Sequence, residues 1–300
     1  MKNSMRRAMI STVCMLIVAV MSLTGVTYAW FTAGSDATVD NIIVNVQAAT
    51  GGIELSGDNG VTWQTKISAG NSAVFTPVST VGKFGDDSTI MKFFTGEINP
   101  ENSAQIKTTA IEANTDPGYF RKDLHIKNIS GSDIKIDLAE FEIEGEGSNN
   151  ANYAMRVALV VWNKYTMEGI SEDNPTGTKT PVENFATTVK IYEPYAEQHT
   201  ANAVKNLGAV NGTAHTYLGI KSASNGFVAL NDNSIAAALA SDVLTYNASD
   251  LTITLANGEY AEISIYVWIE GQDIDCENSI SAGAFTFDFV FVKDASYNGN

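Results

Sequence analysis

The side chains best suited to chemistry are few in this chain. His125, His199 and His215 are its only histidines, and none stands in an H-E-x-x-H pattern or at another zinc-ligand spacing. His125 alternates with Leu124 and Ile126, which places it on the polar face of a strand as a solvated side chain. There is no G-x-S-x-G elbow and no glycine loop of the phosphate-binding kind. Cys276 has no histidine near it in sequence and reads as a thiol at a strand end rather than a nucleophile. The most pointed cluster is Trp268-Ile269-Glu270-Gly271-Gln272-Asp273-Ile274-Asp275-Cys276-Glu277. Asp273, Asp275 and Glu277 alternate, so extended chain would turn three hard oxygen ligands one way, as Ca²⁺ requires. The same residues also suit a solvated acidic connection, because the glycine turn and distal glutamate of a calcium loop are missing. No other cofactor is indicated.

These residues must be carried by strands. Ile42, Val44 and Val46 alternate with polar or outward positions, as do Leu124 with Ile126, Ile134 with Ile136 and Leu138, and Met155 with Val157, Leu159 and Val161. Period two with one apolar side is the mark of half-buried strands. Leu251, Ile253 and Leu255 lead into Asn257-Gly258, and Ala261 to Ile269 return, which predicts a tight hairpin. Phe285, Phe287, Phe289 and Phe291 share one side of the last strand and can fill the gap between two sheets. An all-β antiparallel sandwich follows. Short helical insertions are expected at Ala196–Asn206 and Ser234–Ala240. Trp63, Trp162 and Trp268 read as sheet packing before a sugar-stacking platform.

The N-terminus sets the compartment. Lys2, Arg6 and Arg7 precede an apolar stretch from Ala8 to Val26, followed by Thr27-Tyr28-Ala29. Small residues at Thr27 and Ala29 predict a signal helix over 1–29, cut so that Trp30 becomes the first residue. Residues 30–300 then form one elaborated, exported domain that meets the membrane only before cleavage. The leader holds three of the 18 basic residues and none of the 34 acidic ones, so the rest is more acidic than the formal charge of −16. That excludes nucleic acid as a natural partner. Cys14 lies in the leader, leaving Cys276 alone and no internal disulfide to form.

Several short stretches resemble the TasA/camelysin family of exported bacterial matrix proteins. They are Thr27-Tyr28-Ala29-Trp30-Phe31-Thr32, Val39-Asp40-Asn41-Ile42, Asp123-Leu124-His125-Ile126-Lys127-Asn128, Arg156-Val157-Ala158-Leu159 and Val267-Trp268-Ile269-Glu270-Gly271-Gln272-Asp273. The resemblance implies a jelly-roll β-sandwich, a signal peptidase of the SipW kind, and self-association into extracellular biofilm or cell-surface fibres by donor-strand exchange. Residues 30–49, with Ile42, Val44 and Val46, would then be the donor strand; the same three residues can equally pair within their own subunit. The expectation is a non-enzymatic fibre subunit. The alternative is an adhesin, or a carbohydrate- or calcium-binding module, using the polar insertions. Camelysin's description as a casein-cleaving metalloprotease finds no metal or nucleophile spacing to match it here.

Overall fold

The computed structural model describes residues 38–39, 42–71, 75–84, 91–98, 105–111, 113–114, 118–148, 154–168, 178–182, 187–192, 216–217, 227–229, 244–245, 251–270 and 281–297. The leader with Thr27, Ala29 and Trp30, the two expected helices, and Asp273, Asp275 and Glu277 lie outside the described residues.

In chain order the strands are β1 (Thr38–Val39), β2 (Ile42–Ala48), β3 (Ile53–Ser56), β4 (Lys66–Asn71), β5 (Ser79–Phe84), β6 (Met91–Ile98), β7 (Gln105–Ile111), β8 (Phe120–Asn128) and β9 (Ile134–Ser148). They continue with β10 (Met155–Glu168), β11 (Thr178–Pro181), β12 (Thr188–Tyr192), β13 (Thr216–Tyr217), β14 (Phe227–Ala229) and β15 (Leu244–Thr245). The last three are β16 (Thr252–Leu255), β17 (Glu259–Ile269) and β18 (Ser281–Lys293).

Two sheets make an all-β sandwich. The first runs β16-β9-β18-β2-β4, with β1 also on β18; the second runs β11-β10-β17-β8-β3, with β12 also on β10. Period two decides the walls of the space between them. Ile42, Val44 and Val46 of β2, Ile134 and Ile136 of β9, and the four phenylalanines of β18 form one wall. Leu124 and Ile126 of β8, Val157 and Leu159 of β10, and Ile263, Ile265 and Val267 of β17 form the other. Burial of each such side chain contributes about 1.5–3 kcal/mol, so this one core is the main stabilising feature.

The second sheet is covered on its outer side as well. Tyr266 and Trp268 of β17 join Val78, Phe93, Tyr119, Ala158 and Val160 in a second buried cluster. Phe93 stacks on Tyr119 at 3.9 Å and meets Trp268 edge-on at 5.2 Å. Phe93 comes from β6, in the sheet β14-β7-β6-β5, which therefore lays part of a third layer over β17 and β10. Trp268 is fully buried there, and its Nε1 donates to Glu270 Oε2 at 3.0 Å.

Two expectations need correction. Asn257-Gly258 does not close a hairpin: β16 pairs with β9 in the first sheet, whereas β17 lies in the second. The turn carries the chain across the sandwich, so the apolar faces of both strands meet the core from opposite walls. The β8–β9 turn at Ser130-Gly131-Ser132 makes the same crossing. His125 is not solvated either; it is 4% exposed, with its ring 5.4 Å from that of Tyr260. The outer face of β8 carries it, but the Tyr260 ring of β17 packs beside it there.

Candidate functional site: the N-terminal strand and its slot

β2 follows directly on β1 at the start of the described chain and occupies an interior position. It hydrogen-bonds to β18 on one side and β4 on the other. The pairing with β18 is parallel, with Ile42 beside Phe285, Val44 beside Phe287 and Val46 beside Phe289. The pairing with β4 is antiparallel, with Val44 opposite Ala69. β1 extends the parallel contact, placing Thr38 beside Ser281. Parallel neighbours need a long crossover when their strands follow one another; here the partners come from opposite ends of the chain.

Ile42, Val44 and Val46 are all fully buried. The opposite face of β2 is polar at its centre, where Asn45 spans the sheet. Its Nδ2 donates to Asp288 Oδ1 on β18 at 2.9 Å, and its Oδ1 accepts from Ser68 Oγ on β4 at 2.7 Å. A carboxylate only accepts, so the amide nitrogen must face Asp288 and the oxygen must face the serine.

Beyond β2, residues 49–52 lead to β3 in the other sheet. This link is tied down: the Ala49 amide donates to Phe291 O at 3.0 Å, Thr50 Oγ1 accepts from the Lys293 amide at 2.7 Å, and the Ile129 amide donates to Gly52 O at 2.9 Å. Gly52 has φ of 95°, and a Cβ there would stand 2.8 Å from Ser130 Cβ. Only glycine fits both demands.

A turn after β3 was not anticipated from the sequence. Ser56, Asp58, Gly60, Thr62 and Trp63 form one unit over eight residues. Asp58 accepts from the Thr62 hydroxyl at 2.6 Å, the Thr62 amide at 2.9 Å and Ser56 Oγ at 2.7 Å. Those donors, the Thr62 hydroxyl first, hold its carboxyl at about 2, below the ordinary 3.8. The Gly60 amide donates to Ser56 Oγ at 2.8 Å, and Asn59 and Gly60 both take positive φ. The Asn59-Gly60 dipeptide was the available signal. Trp63 then folds over the second sheet, under the Lys127 ammonium at 5.0 Å and edge-on to Tyr260 at 6.3 Å.

The outer face of the second sheet holds the other polar network. Trp162 Nε1 donates to Ser264 Oγ at 2.5 Å, Ser264 Oγ donates to Asp123, and Arg121 Nε donates to Asp123 at 2.9 Å. Tyr165 donates to Glu262 at 3.2 Å and stacks on Tyr260. Burial raises the phenol pKa of both tyrosines, and for Tyr165 the negative charge of Glu262 adds to it. Ser264 thus faces a carboxylate that also pairs with a guanidinium, an arrangement that ties β8, β10 and β17 together across the outer face of the sheet. Among the described residues no three His, Cys, Asp or Glu side chains are grouped to hold a metal ion. No family model, curated protein or solved structure matches the chain.

Proposed function

We propose that this chain is a secreted structural subunit of extracellular or cell-surface fibres. Its N-terminal strand is the connecting element: after removal of the leader at Ala29, β2 of one copy fills the slot between β18 and β4 of the next. Within this reading the sandwich is of the jelly-roll kind, and the processing enzyme is a signal peptidase of the SipW kind, as the resemblance to TasA/camelysin proteins implies.

One observation carries the proposal: the strand nearest the start of the described chain completes the core. Its three buried side chains together contribute roughly 5–9 kcal/mol, comparable with the whole stability of a typical domain, ~5–15 kcal/mol. An empty slot would leave β18 and β4 with unpaired edges and an open core. The slot must therefore be filled, by the chain's own β2 or by an identical strand from a neighbour. Both fillings offer the same contacts, which is the thermodynamic condition for exchange. The short link 49–52 is the hinge that would open.

Purified residues 30–300 are expected to form filaments visible by negative-stain electron microscopy at high protein concentration. Removal of Trp30–Ala49 should abolish them. A strictly monomeric product, unchanged by the truncation, would sink the proposal.

A further inference from the structure

The apolar side of β2 is nearly self-similar. Ile42, Val44 and Val46 repeat every second residue and face Phe285, Phe287 and Phe289, themselves a repeat. A slip of one residue would turn the apolar set outward and is excluded by burial. A slip of two keeps Ile42, Val44 and Val46 on the core face, all three beside phenylalanines in one direction and two of the three in the other. Hydrophobic pattern therefore excludes slips of one but discriminates only weakly against slips of two. Polar contacts must choose among the registers that remain: the bonds of Ala49 and Thr50 to β18 where the link is closed, and Asn45 within the strand itself.

We infer that Asn45 is the positioning residue that selects the register of the N-terminal strand, by bridging Asp288 on one neighbour to Ser68 on the other. In the observed register its amide meets an acceptor-only carboxylate with its nitrogen and a hydroxyl donor with its oxygen. Both partners stand directly beside it, Asp288 on β18 and Ser68 on β4. A slip of two in one direction sets Ile43 against Asp288, so the carboxylate loses its donor and Asn45 faces Val290. A slip in the other direction brings Gln47 to Asp288 but leaves Asn45 at Thr286 and moves Ile42 past the phenylalanine row. Only the observed register lets Asn45 itself bridge Asp288 and Ser68. The selection rests on side chains of the strand and its slot, so it applies whichever copy of the chain supplies the strand. As a rule for joining two copies it rests on the fibre reading above. The ligand it recognises is then the segment Ile42–Ala48 of a second copy, and an apolar strand without a central amide would be held without a defined register.

Disulfide trapping on the full chain, expressed with its leader and collected after export and leader removal, in a Cys14→Ser, Cys276→Ser background, tests this. Ile43→Cys with Thr286→Cys reports the observed register. Ile43→Cys with Ala284→Cys, and Gln47→Cys with Val292→Cys, report slips of two in either direction. With Asn45 present, only the first pair should oxidise to a disulfide. With Asn45→Leu, the slipped pairs should gain about tenfold in yield relative to the first, the scale of one lost charge-assisted hydrogen bond. Asn45→Asp should act similarly through like-charge repulsion with Asp288, and Asp288→Asn should restore the observed register in that background. Slipped pairs that stay silent in both Asn45 variants would overturn the inference, as would a parent chain in which the first pair fails to link. If Asn45→Leu does not fold, the Asn45→Asp, Asp288→Asn pair supplies the same comparison. Mobility on a denaturing gel separates links within a chain from links between chains. Intrachain links alone count against strand exchange, while the register ratio still decides the role of Asn45.

Discussion

Asp58 organises the turn after β3 through three donors, the Thr62 hydroxyl, the Thr62 amide and Ser56 Oγ. Its carboxyl is held at about 2 rather than 3.8. A carboxyl depressed in the folded state adds stability above its unfolded pKa, and that stability disappears as pH falls through the folded value. Melting temperatures of the parent and of Asp58→Ala should therefore differ at pH 7 and converge between pH values of about 4 and 2. A gap that stays constant over that window would refute the assignment. Asp294 lies in the same range, through donation from Ser296 and Lys135, and contributes to the same acid loss with the same sign. Asn128 works at longer range. Fully buried, it donates to Ser132 O at 2.7 Å, Leu255 O at 3.1 Å and Ala256 O at 3.0 Å, and accepts from the Ser130 amide at 2.9 Å. It thereby ties the β8–β9 crossing to the β16–β17 crossing. Asn128→Ala should cost about 2–4 kcal/mol in denaturant unfolding. Asn128→Asp should cost a similar amount despite its shape, because a carboxylate cannot donate to those carbonyls.

At the scale of elements, β2 has one face in the core and one towards solvent, and substitutions should separate the two. Val44 is fully buried against β18, whereas Gln47 is exposed. Val44→Asp is expected to destabilise by about 4 kcal/mol or more, since it buries a charge in an apolar layer. Gln47→Lys should change stability by less than about 0.5 kcal/mol. Equal effects in chemical denaturation would mean that β2 does not sit in the slot as described. The crossings explain why β16 and β17 do not pair. Each brings an apolar face, and the Asn257 amide is held by Asp133 at 3.0 Å on the neighbouring turn. That contact adds a tie to the β8–β9 turn beside the local bonds between Ala256 and Glu259 that close the β16–β17 turn itself.

For the whole molecule, the formal charge of −16 makes association between copies a contest between strand complementarity and mutual repulsion. Added salt screens the repulsion, with a Debye length of about 30 Å at 0.01 M falling to about 8 Å at 0.15 M. Filament growth followed by light scattering should accelerate over that range, while the melting temperature of the isolated subunit moves little. Growth that slows with salt would point to attraction between charged surfaces instead of strand insertion.

The alternation of apolar residues by itself determined that the described residues build an all-β sandwich and which side chains line the space between its sheets, because period two leaves each strand one apolar face. The four phenylalanines of β18 and the trio of β2 lie where that pattern put them. Alternation carries no information on which strands become neighbours. A turn such as Asn257-Gly258 can close a hairpin or cross a sandwich while keeping the same residues inside, so the pairing of β16 with β9 came only from tertiary structure. Polarity was equally ambiguous at His125, which stands on the outer face of β8 as its position implied but is covered there by residues distant in sequence. The role of Asn45 belongs to the same class: its two partners lie 243 and 23 residues away, and only the folded sheet brings them beside it.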